Sequence, residues 1–119
     1  MTKYIIALSV VLIALTEFGW ADENEAGTED AIEKGRLIAF ERRKGNCLAC
    51  HVIAGGELAG NYGLPLVVMN ARYPDRAVLR AQIWDASVRD PNTRMPPFGR
   101  HKILTEEEID LVVDYILTL

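Results

Sequence analysis

Two cysteines separated by two residues and followed directly by a histidine constrain this chain more than any other part of its sequence. The motif is Cys47-Leu48-Ala49-Cys50-His51, and it holds both cysteines of the 119-residue chain. A C-x-x-C-H motif is typical of covalent haem attachment, because two cysteines on one turn can each form a thioether with a haem vinyl group. We therefore predict one haem c, attached through Cys47 and Cys50, with His51 as an axial iron ligand.

The motif could also belong to a zinc site or a thiol-redox pair, but each of these needs further features that the sequence does not supply. A structural zinc site needs two further ligands, and His101 is the only other histidine. A thioredoxin-like redox pair needs a βαβ setting, which the sequence pattern does not indicate. A small periplasmic binding or thiol-redox protein that uses Cys47 and Cys50 without haem stays as an alternative from another class.

The second axial ligand is predicted from the position of the methionines. Met69 lies in the apolar run Leu64–Met69, where a methionine more often fills a core. Met95 lies in the segment Met95-Pro96-Pro97-Phe98-Gly99, a loop that its prolines stiffen. We predict that Met95 ligates the iron, because a thioether held on this loop can face the iron from the side opposite His51. Ligation by His and Met closes both axial positions and favours electron transfer. Met69, His101 or an open position are the alternatives.

The N-terminal residues predict secretion rather than fold. A charge at Lys3, an apolar run from Tyr4 to Leu15, and small residues at Gly19 and Ala21 form the pattern of a secretory signal peptide. The run is shorter than the roughly 20 apolar residues that span a bilayer, although an uncleaved anchor is the alternative. We expect a leader at 1–21, a loose acidic tail at 22–27 and a cytochrome c domain at 28–119, located in the periplasm.

Residues 28–88 are expected to form helices separated by loops. Thr28 is a predicted N-cap of a helix that ends near Arg43 or Lys44, before Gly45. The glycine-rich stretch 52–61 predicts a loop. Pro74 suits the first turn of a second helix that ends near Val88.

The last helix is the clearest element of the sequence. Thr105 and Glu108 have the spacing of a capping box. An apolar face follows at i, i+3, i+4 and i+7, made of Ile109, Val112, Val113 and Ile116. The fold class predicted is all-α, a small domain wrapped around one covalently bound haem.

Charge is segregated along the chain, whose net charge is −4. Residues 42–102 contain ten bases and four acids, whereas 22–41 and 103–119 are both acidic. Because the basic block contains the predicted ligands, a positive rim around the haem is expected. Partner contacts are predicted at Arg94, Phe98, Arg100, His101 and Lys102, unless these arginines pair with haem propionates or face solvent. The acidic total argues against nucleic-acid binding.

The general plan resembles class I cytochromes c. That resemblance implies that Gly35 on the first helix packs against Tyr115 on the last. Members of the family usually carry Gly-Pro-x-Leu after the haem motif, where the proline carbonyl accepts a hydrogen bond from the proximal histidine. Here Gly63-Leu64-Pro65-Leu66 has leucine in that place, so the Leu64 carbonyl is the candidate acceptor.

More narrowly, the chain resembles the SoxX family, the small monohaem subunits of SoxAX complexes. The resemblance spans nearly all of residues 28–119. The matching stretches are Lys34–Phe40, Lys44–His51, Ala71–Arg76, Leu79–Asp85, Met95–His101 and Ile103–Ile109.

This resemblance implies a role in thiosulfate oxidation, as a heterodimer with a larger cytochrome, SoxA. SoxA would couple thiosulfate oxidatively to a cysteine of the carrier SoxYZ, which the complex meets transiently. The present chain would pass the released electrons to a downstream cytochrome, so it serves an L-cysteine S-thiosulfotransferase without catalytic residues of its own. Stable membrane insertion is not expected after cleavage. The alternative is a free-standing periplasmic electron shuttle.

Overall fold

The computed structural model describes residues 23–119, which form four helices joined by loops and include no β-strand. Within this part of the chain, no helix is both long and apolar enough to cross a bilayer. The all-α prediction is confirmed, whereas the predicted leader at 1–21 lies outside the described residues. The helices are α1 (Glu23–Phe40), α2 (Met69–Arg72), α3 (Arg76–Trp84) and α4 (Glu106–Ile116), with single 3₁₀ turns at Cys47–Ala49 and Ala86–Val88.

The first helix differs from its prediction at both ends. It begins at Glu23, so the predicted loose tail is wrong for residues 23–27 and Thr28 lies inside the helix. Three of the five residues before Thr28 are strong helix formers, Glu23, Glu25 and Ala26, and the helix runs through Thr28 in spite of its preference for a cap. The helix ends at Phe40, before the basic residues, because the chain turns back and Gly45 N donates to Ile38 O at 3.1 Å.

The centre of the molecule is the crossing of α1 and α4. A Cβ at Gly35 would lie less than 3.0 Å from the carbonyl group of Leu111 and from Tyr115 Cβ. The absence of a side chain therefore lets the two helix backbones approach closely, and the predicted packing of Gly35 against Tyr115 is confirmed. The Tyr115 ring itself meets the edge of Phe40, with ring centroids 6.3 Å apart.

Helix α4 forms as its sequence predicts. Thr105 Oγ1 accepts from Glu108 N, and the Glu108 carboxylate accepts from Thr105 N, which completes the capping box. All four residues of the predicted apolar face are buried, namely Ile109, Val112, Val113 and Ile116.

Helix α3 is shorter than predicted and is fastened to α4 by charges. Asp75 caps its first turn by accepting from Ala77 N at 2.8 Å. Asp85 ends it, since its carboxylate accepts from Ser87 N and starts a separate 3₁₀ turn. On the side facing α4, Arg76 pairs with Asp110 and Asp114, and Arg80 pairs with Glu106 and Asp110.

Candidate haem site

A cavity of about 810 Å³ lies between the helices and the loops. All four predicted site residues line it: Cys47, Cys50, His51 and Met95. The cavity also has apolar walls, contributed by Leu66, Leu79, Ile83, Phe98, Leu104, Val112 and Ile116 among others. Two thiols, an imidazole and a thioether therefore share one largely apolar compartment, which lies within the usual size range of ligand sites.

The haem motif begins on a tight turn. Asn46 precedes it with a φ of 47°, in the left-handed region that asparagine tolerates. The 3₁₀ turn Cys47–Ala49 follows, and His51 N donates to Cys47 O at 2.9 Å. This turn brings both sulfurs and the imidazole to one side of the chain. Burial raises the pKa of the Cys47 thiol to about 11, which is the reverse of the low pKa that a reactive redox thiol needs.

The orientation of His51 is determined by the segment that contains Gly63 and Leu64. His51 Nδ1 lies 2.7 Å from Leu64 O. A carbonyl can only accept, so Nδ1 is the ring nitrogen that donates and Nε2 is the one available to a metal. A Cβ at Gly63 would lie less than 3.0 Å from three atoms of the imidazole ring. The leucine carbonyl thus makes the contact that proline makes in class I cytochromes c.

The two methionines of residues 23–119 both line the cavity but differ in their contacts. Met69 is 2 % exposed, and its sulfur accepts from Arg72 Nη1 at 3.3 Å. Its backbone is also held, because Met69 N donates to Leu119 O. Met95 is half-buried in the proline loop, where its backbone N donates to Thr93 Oγ1. Within the described part of the chain, the Met95 sulfur makes no hydrogen bond. His101, the third candidate, is exposed and does not line the cavity.

The cavity lining is strongly basic, as the charge pattern predicts. It includes one acidic side chain, Asp90, and five basic ones: Arg42, Arg43, Lys44, Arg72 and Arg94. The Arg94 guanidinium lies over the Tyr62 ring, 5.5 Å from its centroid. This excess of positive charge favours bound carboxylates such as haem propionates, or an acidic partner.

The residues predicted to contact a partner do not form one exposed group. Phe98 is 7 % exposed and faces the cavity, so its prediction as a surface anchor is wrong. It is buried because its carbonyl accepts from Ile103 N and Leu104 N and holds the loop against the core. Arg100 pairs with Asp85 at 2.7 Å. His101 and Lys102 are exposed.

Sequence reasoning missed how the cavity loops are held in place. Leu64 O was found only as a candidate, since a backbone acceptor leaves no signal in residue type. The Tyr62–Arg94 contact and the packing of Gly99 on Trp84 were not predicted. Both pairs are far apart in sequence and show no periodicity. Within residues 23–119, no group of three or more His, Cys, Asp or Glu side chains is arranged to hold a metal ion.

The donor set fits a covalently attached haem. Two thiols lie beside an imidazole whose Nδ1 is fixed by Leu64 O, and the compartment has apolar walls with a basic lining. A small all-α domain with this arrangement defines the class of c-type cytochromes, proteins that transfer electrons.

Comparison with known families places the chain more narrowly. The family model described as cytochrome c oxidase, cbb3-type, subunit III matches residues 30–116. The chain belongs to this family of c-type cytochrome domains, and membership implies a covalently bound haem c. No curated protein matches the chain closely enough to count as a relative.

Proposed function

We propose that this chain is the monohaem electron-transfer subunit of a SoxAX-type complex in the periplasm. Cys47 and Cys50 hold the haem, and His51 and Met95 are the axial ligands. The observation that carries the electron-transfer part is that an imidazole and a thioether from two separate loops line the same cavity. A haem ligated by both would supply one-electron chemistry and would leave no coordination position open for substrate.

The chain's own residues prepare this site. Leu64 O accepts from Nδ1 of His51 and orients the imidazole, so that Nε2 is the ring nitrogen available to the iron. The buried apolar walls exclude water, which lowers the local dielectric and affects the potential of any bound redox group. The basic lining supplies compensating positive charge.

Met95 is favoured over Met69 as the ligand because the two sulfurs differ in their hydrogen bonding. The Met69 sulfur already accepts a hydrogen bond from Arg72, whose Nη1 also donates to Pro65 O. Ligation by Met69 would require breaking that contact. Met95 is half-buried on a loop that places it in the cavity lining.

The SoxAX role rests on the sequence stretches that resemble the SoxX family, above all Met95–His101 and Ile103–Ile109. In this proposal the signal peptide directs the chain to the periplasm, where it forms a heterodimer with SoxA. SoxA joins thiosulfate to the carrier cysteine of SoxYZ, and this chain delivers the electrons to a downstream cytochrome. The basic cavity lining offers a surface for partners with acidic faces.

Axial ligation is tested by near-infrared absorption of the oxidised holoprotein, where a charge-transfer band reports the iron–thioether bond. Met95→Ala should abolish the band and lower the reduction potential. Met69→Ala is the matched control, because it removes the other methionine in the cavity; it should lower thermal stability and keep the band. Loss of the band in Met69→Ala instead would show that the ligand assignment is wrong.

Covalent attachment is tested by acid denaturation and organic extraction. The wild-type protein should keep its haem in the protein fraction, with the iron content of one haem per chain. The double variant Cys47→Ala plus Cys50→Ala should release any haem that it binds. Haem that extracts freely from the wild type would overturn the attachment.

The SoxAX role is tested by thiosulfate-dependent electron transfer in a system reconstituted with SoxA and SoxYZ. Omitting this chain should stop the reaction, and Arg43→Glu should slow it without changing the haem spectrum. Arg43 is exposed beside the cavity, and a change there leaves the Arg100–Asp85 pair intact. Arg89→Glu is the control, since Arg89 is exposed but does not line the cavity. A full rate without this chain would support the free-standing shuttle.

A further inference from the structure

The Trp84 side chain lies at the end of α3, directly against the loop that contains Met95. A Cβ at Gly99 would lie less than 3.0 Å from three atoms of the indole ring. Glycine is therefore required at this place, since the ring occupies the space of any side chain. The tryptophan and the last residue of the Met95-Pro96-Pro97-Phe98-Gly99 segment pack as two complementary surfaces.

Backbone and charge contacts join the same two segments. Gly99 N and Arg100 N both donate to Trp84 O, at 3.1 and 3.4 Å. The next residues also pair, because Arg100 Nε lies 2.7 Å from the Asp85 carboxylate. Asp85 is 8 % exposed and is held by Ser87. The end of the methionine loop thus has three kinds of contact with Trp84 and Asp85.

The indole ring is also held by Arg80 of α3, which is itself paired with α4. The Arg80 guanidinium lies 5.6 Å from the ring centroid. Arg80 pairs in turn with Asp110 at 2.9 Å and with Glu106 at 3.1 Å. A chain of contacts therefore runs from α4 through Arg80 and Trp84 to Gly99.

The other end of the loop is held more weakly. Arg94, immediately before Met95, contacts the ring of Tyr62, and the Tyr62 side chain is 66 % exposed. Exposed cation–π contacts contribute less than desolvated ones. Between the two ends, Pro96 and Pro97 restrict the backbone. Because the backbone between Met95 and Gly99 has little freedom, we expect that a displacement of Gly99 also displaces Met95.

We propose that Trp84 is a positioning residue for the thioether of Met95. The ring, held between Arg80 and the backbone of Gly99, fixes the methionine loop relative to α4 and so keeps the sulfur within bonding distance of the iron. This inference rests on the proposed ligation by Met95. Without the ring the loop would keep its prolines and the backbone bonds at Phe98 but lose the packing contact at Gly99. The bond between the Met95 sulfur and the iron would then open in part of the population.

The test uses oxidised holoprotein and measures the near-infrared band and the reduction potential together with thermal stability. Trp84→Ala and Gly99→Ala should each lose most of the band and shift the potential downward, with the haem still covalently attached. Trp84→Phe keeps an aromatic ring against Gly99 and should restore most of the band. If Trp84→Ala does not fold, the Gly99→Ala and Trp84→Phe variants decide the question.

Val113→Ala is the control for loss of stability alone. Val113 is fully buried in α4 but does not line the cavity, so this variant should melt at a lower temperature and keep the band. A full band in Trp84→Ala and Gly99→Ala, at temperatures where both are folded, would overturn the inference and leave Met95 ligation standing. A wild-type protein without the band, or a band that survives Met95→Ala, would overturn the ligation and this inference together.

Discussion

The α1–α4 crossing and the loops around the cavity are built in different ways. At the crossing, two helix backbones touch through Gly35, and the surrounding side chains, including Val113 and Tyr115, are buried. The loop of residues 52–68 lies beside the haem motif and is joined to it mainly by backbone hydrogen bonds. Gly60 N donates to Leu48 O and Gly63 N donates to Cys50 O, while the bond from Leu66 N to Val52 O closes the loop on itself. Several of its apolar side chains are exposed, among them Leu58 at 96 %.

This difference separates the stability of the protein from the chemistry of its site. The crossing has no room for added atoms, so changes there should alter the free energy of unfolding most. The loop contributes main-chain groups and a few ring contacts, so changes there should affect the ligand geometry or nothing at all. Substitutions in the two regions can therefore break or sharpen the comparison.

Gly35→Val is expected to have the largest effect. The new side chain would meet the carbonyl group of Leu111, which cannot move unless the two helices separate. We expect a loss of about 3 kcal/mol in the free energy of unfolding, at the upper end of the usual overpacking range. Urea unfolding measures this loss. Ala81→Val is the control, because Ala81 is an exposed residue of α3. Equal stability of Gly35→Val and wild type would contradict the close crossing.

Gly63→Ala tests the point where the loop does contact the site. The methyl group would collide with the imidazole of His51, and a side chain can yield more readily than a backbone. We expect a loss of roughly 1–2 kcal/mol together with a shifted haem spectrum, which Gly35→Val should not show. An unchanged spectrum in Gly63→Ala would mean that the ring is not held against this glycine.

Thr105→Ala removes the cap of α4. Glu108 N would lose its acceptor, and the reciprocal bond to Thr105 N would weaken. We expect a loss of about 1 kcal/mol, measured by thermal unfolding. Thr105→Ser keeps the hydroxyl and should retain most of the stability, and a Ser variant as unstable as the Ala variant would count against the capping role.

A smaller effect is expected from the charge of Glu108. The hydrogen bond from Lys44, then the bond from Thr105 N, hold the pKa of Glu108 below its ordinary value of 4.5. A lowered pKa favours the folded state above pH 4.5, and that contribution disappears as the pH falls through the lowered value. Because Lys44 is partly exposed, the contribution should be below about 1 kcal/mol.

Glu108→Gln tests this pH dependence while keeping an acceptor for Thr105 N. The variant should be less stable than wild type at neutral pH, and the difference should shrink as the solution is acidified through the lowered pKa. Urea midpoints measured across the acidic range give the comparison. A difference that stays constant with pH would assign the effect to packing rather than to charge.

Leu58→Asn is expected to have the smallest effect. Leu58 has a φ of 53° and is almost fully exposed, a conformation that asparagine adopts more readily than leucine. We expect stability within about 0.5 kcal/mol of wild type and an unchanged haem spectrum. A large loss would show that this part of the loop is packed against something in the folded protein.

The parts of the molecule that could be predicted are those that depend on neighbours in sequence. The Thr105–Glu108 capping box and the buried face of α4 follow from local spacing, and the structure contains both. The ends of α1 could not be predicted as well. A cap preference at Thr28 competes with helix-forming residues on either side, and the outcome depends on their sum. The prediction for Phe98 was wrong for another reason. In the sequence, an aromatic residue in a loop looks the same whether it faces a partner or a cavity.

By itself, the sequence determined the all-α class, the haem motif at Cys47–His51, and the two methionines that are the first candidates for a second ligand. These are properties of residue type and short spacing. Only the tertiary structure decided that Leu64 O orients His51, that Arg72 engages the Met69 sulfur, and that Trp84 receives Gly99. Each of these contacts uses a backbone group, a sulfur or a missing side chain as its partner. Such partners have no periodicity and become visible only when distant segments are brought together, because their positions are determined by packing and not by local propensity.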